Sequence, residues 1–143
     1  MQMLEEFLKN KEFSALLSKH AGELIKFLCV KNIGFDILVN MDFVSFNPDL
    51  PQDIKPKDDM VLFALGGYTL SSVKIIGQNL EFHAGFGAND FESIVSVPLK
   101  AIIRVSLDKA VLFVNFSIPA ENEVEKSTNI FKQNPKNKNI FGE

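Results

Sequence analysis

The chain has 143 residues, 46% of them hydrophobic, with 14 Phe, no Trp and a formal net charge of -3. That length suits one domain with an aromatic-aliphatic core, too apolar for wholesale disorder and large enough to fold without disulfides. Arg104 is the only arginine and Cys29 the only cysteine, which argues against a phosphate-backbone binder and excludes an internal disulfide or a cysteine-based zinc cluster.

Leu4, Phe7 and Leu8, then Phe13, Leu16, Leu17, Ala21, Leu24, Phe27 and Leu28, recur at spacings of three and four. This pattern predicts a short helix, a break near Asn10 to Glu12, and a longer helix ending near Asn32 to Gly34, where Asn and Gly suit a C-terminal cap. From Phe35 the period changes to two, with Phe35, Ile37 and Val39 on one face, and Phe43 to Phe46 is β-compatible. Asn47 to Asp59 holds Pro48, Pro51, Pro56 and four acids and reads as a surface connection with little secondary structure.

Strands are then expected at Met60 to Leu65, Leu70 to Ile76, Leu80 to Phe86 and Glu92 to Val97. Gly77-Gln78-Asn79 gives hairpin spacing between the second and third. Pro98 to Ile103 suits one helical turn with Pro at its first position. Arg104 to Leu107 and Ala110 to Phe116, joined through Asp108-Lys109, complete the sheet. Pro119 to Glu143, with four Glu, four Lys and five Asn, reads as a flexible tail. Within it, Ile130-Phe131 and Ile140-Phe141 are two apolar pairs in near-repeated settings. The expected division is therefore a domain over 1–118, with helices in 2–31 and strands in 35–117, and a tail over 119–143.

Reactive chemistry is thin. His20 lies on a helix and reads as a surface residue, and Cys29 as a small apolar one. Gly66-Gly67 lacks a phosphate-loop pattern, and Gly85-Phe86-Gly87 leads towards a strand with no helix N-terminus to hold phosphate. Asp49, Asp53, Asp58 and Asp59 lack calcium-loop spacing. No enzyme activity, cofactor or metal is expected. Apolar runs such as Ala110 to Val114 are too short to cross a bilayer. Met-Gln-Met-Leu-Glu-Glu carries no secretion signal pattern, so a cytoplasmic location with no membrane or nucleic-acid partner is the expectation.

Leu80 to Pro98 is the most informative stretch. Leu80, Phe82, Ala84 and Phe86 fall on one side of a strand, while Glu81, His83 and Gly85 form a small, polar opposite face. Alternating small residues permit close approach of another backbone, as a peptide groove requires. The bland reading is a core strand with a glycine turn.

Met60-Val-Leu-Phe-Ala-Leu65, Phe82-His-Ala-Gly-Phe-Gly87 and Val95-Ser-Val-Pro-Leu99, in that order, together with the Pro-containing segment around Asn47 to Pro56, resemble the stringent starvation protein B (SspB) family. Members of that family are adaptors that deliver ssrA-tagged proteins to the ClpXP protease. The resemblance covers roughly residues 24–116. It implies an α+β fold in which N-terminal helices pack on a bent antiparallel sheet or open barrel, and a homodimer formed through the N-terminal helix.

It further implies a tag-binding strand and turn at Phe82, His83, Ala84, Gly85, Phe86 and Gly87, with Val95 and Val97 on the facing strand. By the same resemblance a tail motif, here Ile130, Phe131, Ile140 and Phe141, would dock on ClpX. Two features differ from better-known members: Gly85 replaces a polar or charged residue, and the turn between Phe86 and Pro98 is about two residues longer. The preferred tag is left open. Two other classes fit the composition: a small-ligand-binding β-barrel sensor, against which the scarcity of arginine argues, and a structural subunit of a larger complex.

Overall fold

This computed structural model describes residues 2–117. Chain contacts divide it at Ser14. In the segment before that division, α1 spans Gln2–Leu8 and is followed by a turn in which the Asn10 side chain accepts a hydrogen bond from the Phe13 backbone N–H at 2.9 Å. That contact starts α2, Lys11–Val30, in the manner of an N-cap, and Phe7 packs on Phe13 with ring centroids 4.6 Å apart.

The unit Ala15–Phe116 holds the rest of α2 and all the strands. Helix α2 ends as the Asn–Gly signal predicts. Asn32 takes a left-handed φ of 58°, its N–H bonds to the Cys29 carbonyl, and the Ile33 N–H reaches back to the Leu28 carbonyl at 2.9 Å. This Schellman arrangement satisfies two carbonyls left over at the helix end and brings Ile33 onto the core beside Leu28.

The strands are β1 (Phe35–Asn40), β2 (Ser45–Asn47), β3 (Met60–Leu65), β4 (Lys74–Ile76), β5 (Asn79–Phe86), β6 (Phe91–Pro98), β7 (Ile102–Leu107) and β8 (Ala110–Val114). The chain is α+β, as expected, with the strands divided between two open four-stranded antiparallel sheets and no closed barrel among the described residues. The first sheet has the order β3-β1-β7-β8, the second β2-β6-β5-β4. A 3-10 turn at Leu99–Ala101 occupies the place expected for one helical turn after Pro98 and passes the chain from β6 to β7.

Alternation decides what each strand buries. Phe35, Ile37 and Val39 of β1 face inward with Phe63 and Leu65 of β3, and Leu80 and Phe82 of β5 face inward with Val95 and Val97 of β6. The two inner faces meet at Phe63, whose ring lies 5.5 Å from Phe82 and 6.3 Å from Phe86, near edge-on in both cases. Ile25 and Leu28 of α2 join the same cluster. At Gly22 an added Cβ would come within 3.2 Å of Leu99, so glycine lets the helix lie close to that turn.

One expected element differs. Leu70 to Ile76 reads as a strand, but Gly67–Ser71 forms a short helix, α3, and only Lys74–Ile76 is strand. The Ser71 and Ser72 hydroxyls donate to the carbonyls of Tyr68 and Thr69 at 2.7 and 2.6 Å, so side chains take up carbonyls that a ladder would otherwise use. Leu70 is buried and anchors the turn.

The connection from Pro48 to Asp59 contains neither helix nor strand, in line with its prolines. It is held by Leu50, buried in the core, by a Lys55–Asp49 ion pair at 3.3 Å, and by Ser93, whose hydroxyl donates to the Pro48 carbonyl at 2.7 Å. No helix among the described residues is long and apolar enough to cross a membrane.

Candidate functional site: the open edge of β5

Strands β5 and β6 pair along their full length, from Asn79 opposite Pro98 to Phe86 opposite Phe91. Their outer neighbours are shorter. Strand β4 pairs only with Asn79 to Glu81, and β2 only with Ile94 to Ser96. Beyond Glu81, no strand among the described residues covers the outer edge of β5.

The polarity of that edge follows from one contact. The His83 backbone N–H donates to Ser72 Oγ at 2.8 Å, pointing away from β6. Backbone groups alternate in direction along an antiparallel strand, so the N–H and carbonyl of Gly85 also point outward, while those of Phe82, Ala84 and Phe86 serve the ladder with β6. Helix α3 covers the first outward position and leaves the second open. Tyr68 adds a side-chain contact there, its hydroxyl 3.2 Å from His83 Nδ1, to which it donates when the imidazole carries its proton on Nε2. Tyr68 is 62% exposed, so this pair is reachable from solvent.

The residues singled out in the sequence separate into two sets. Phe82, Val95 and Val97 are fully buried, and Ala84 and Phe86 are partly buried against the same core, with Phe86 edge-on to Phe46 at 5.6 Å. These shape the strand from beneath. His83 and Gly85 lie on the outer face, half-buried and exposed respectively, and Gly87 occupies the hairpin turn with φ 75°.

The close approach that Gly85 and Gly87 permit is used by the chain's own side chains. A Cβ at Gly85 would collide with the Asp90 carboxylate, and one at Gly87 would come within 2.9 Å of an Ile54 methyl. Ile130, Phe131, Ile140 and Phe141 lie outside the described residues.

Sequence reasoning missed Tyr68, Ser72, Asp90 and Ile54. The Gly66-Gly67 pair, where Gly67 takes φ 54° at the start of α3, was the available signal for a break before Tyr68 and Ser72.

Three acids surround the open edge: Asp90 above Gly85, Glu92 opposite it on β6, and Glu81 two residues before His83. His20 is exposed on α2. Among the described residues no group of three or more His, Cys, Asp or Glu converges as a metal site would require. No protein-family model matches the chain, and no curated protein matches it at a significant level.

Proposed function

We propose that the protein is a proteolysis adaptor of the SspB type, a non-enzymatic cytoplasmic protein that binds ssrA-type tags and passes tagged polypeptides to ClpXP. The observation that carries this reading is the open stretch of β5 beyond Glu81, where Gly85, which has no side chain of its own, offers an outward N–H and carbonyl beside the carboxylate of exposed Asp90. An extended peptide adds to such an edge as a further strand. The part of the peptide nearest α3 lies beside Tyr68, Ser72 and His83.

In this reading Phe82, Val95 and Val97 hold the strand in register, and His83 and Gly85 meet the tag. The C-terminal residues 119–143, with their two Ile-Phe pairs, hold the protease, so that tethering raises the local concentration of substrate at the unfoldase. Two copies per adaptor add avidity.

A fluorescence-polarisation titration with an ssrA-type peptide tests the proposal. Saturable binding is expected; its absence at about 100 μM protein, where interactions weaker than about -5 kcal/mol escape detection, would sink the adaptor reading. Gly85→Pro removes the outward N–H without removing a ladder bond and should weaken binding about tenfold, the value of one hydrogen bond plus crowding. Unchanged affinity moves the site off this edge. The surrounding acids make a further demand: peptides with a neutral or basic residue opposite Gly85 should bind more tightly than those with Asp there, with a difference that shrinks as salt is added.

A further inference from the structure

Inward burial of Phe35, Ile37 and Val39 turns Asp36, Leu38 and Asn40 onto the outer face of the first sheet. The strand register then draws a row across all four strands, Leu62–Leu38–Arg104–Val114, beside a second row, Ala64–Asp36–Ser106–Val111. Leu62 is 51% exposed and Val111 53%, with Met60 of the same face at 55%, while Ser106 in the second row is buried.

Two charges interrupt these apolar rows. Arg104 and Asp36 are diagonal neighbours on adjoining strands. Arg104 Nε is shut off from solvent without a hydrogen-bond partner, and the Lys55–Asp49 ion pair among the described residues involves neither Arg104 nor Asp36.

We propose that this face docks a second copy of the chain, seated by two reciprocal Arg104–Asp36 ion pairs within a ring of Leu38, Leu62 and Val114. An acidic ligand would satisfy Arg104 and leave Asp36 facing like charge; a basic ligand would do the reverse. A second copy satisfies both, because in a two-fold contact residue i meets j and j meets i.

The geometry permits it. Strands lie about 4.8 Å apart and alternate residues about 6.8 Å along a strand, so Leu38, Arg104, Ser106 and Asp36 form a rectangular block. A two-fold axis in the interface plane that carries Arg104 over Asp36 of the partner subunit runs close to Leu38 and Ser106. Each Leu38 then meets its own copy, and the two sheets cross steeply, one of the two ways in which sheets pack face to face. This surface is distinct from the N-terminal helix through which the family resemblance implies a dimer, and it stands whether or not β5 binds peptides.

Sedimentation velocity on the full chain over about 1–100 μM, a range that brackets ordinary weak dimers, tests the proposal. The wild type should associate. Arg104→Asp and Asp36→Arg should each raise the dimer Kd by about 100-fold or more, since each breaks both symmetric pairs and sets like charges together.

The double variant Asp36→Arg/Arg104→Asp should recover association to within about tenfold of wild type, as only a contact between these two positions predicts. Circular dichroism melts establish that each variant folds. Leu62→Lys, at an exposed position that does not threaten the fold, should also dissociate the dimer.

A wild type that stays monomeric at about 100 μM overturns the proposal. So does a double variant that folds but fails to recover, or a dimer that survives Leu62→Lys.

Discussion

The two sheets contain four antiparallel strands each and share one core, yet they present different things to solvent. In the first, β1 pairs with β3 over six residues and with β7 on its other side, so the strands match in length and the sheet offers a face. In the second, eight-residue β5 and β6 project beyond three-residue β4 and β2, so the sheet offers backbone. Neighbouring segments occupy part of the gap: α3 at His83, the Pro-rich connection at Ser93 and Gly87. Strand length alone thus separates a surface suited to side-chain contacts from one suited to strand addition, since unpaired N–H and C=O groups at an edge invite a further chain.

The largest effects should come from where the sheets are alike. Phe82→Ala removes a ring that is 1% exposed and packed on Phe63. It should lower unfolding free energy by about 3–5 kcal/mol, and Ile37→Ala in the first sheet by about 2–5 kcal/mol. Urea denaturation measures both. A loss below about 1 kcal/mol at either position, the range of surface substitutions rather than cavities, would mean that its sheet does not share in the core.

The turn of the projecting hairpin should come next. Gly87→Val forces a β-branched residue to φ 75° and drives its Cβ against Ile54, a partly buried side chain. A cost of about 1–3 kcal/mol is expected from the same denaturation assay. Gly85→Ala meets only the carboxylate of exposed Asp90, which can turn aside, and should cost less than about 1 kcal/mol, the scale of one lost hydrogen bond. Equal losses at the two glycines would show that Asp90 is fixed as firmly as Ile54.

Much of this comparison was legible in the sequence. Period-two alternation located β1, β5 and β6, and the turns at Gly77 and Asp108-Lys109 fell where positive φ values occur. Helix α3 was not legible because Tyr68-Thr-Leu-Ser-Ser has the β-branched and aromatic content of a strand; burial of Leu70 and local serine bonding overrode that propensity. The open edge was less legible still. It depends on β4 stopping opposite Glu81, a long-range pairing that alternation within β5 does not encode. The same is true of Ile54 against Gly87: the glycine reads as permissive, but which side chain fills the space is set by the fold.

Ser72→Ala sharpens the contrast at its smallest structural unit. The hydroxyl accepts from the His83 N–H and donates to the Thr69 carbonyl, taking the place of a strand at that one position. Its removal should cost about 1 kcal/mol and speed hydrogen exchange at His83 more than at Phe82, whose N–H stays in the ladder with β6. Equal exchange at both amides would show that the Ser72 contact protects nothing.

The β4 end of the second sheet offers the subtlest test. Cys29 of α2 lines a cavity of about 250 Å³ together with Ile25, Val73 and Ile75, and burial pushes its thiol pKa above the ordinary value. The folded state therefore holds the thiol proton more tightly than the unfolded chain does. Stability from this source is complete below the ordinary thiol pKa and declines as pH rises past it, because the unfolded chain ionises first. Wild type should lose more stability than Cys29→Ala between neutral and alkaline pH, whatever the two variants' difference at neutrality, and its folded thiol should react with a maleimide more slowly than a free thiol does at the same pH. Parallel pH profiles for the two proteins would mean that Cys29 reaches solvent, and that the space beside β4 is as open as the edge of β5 beyond Glu81.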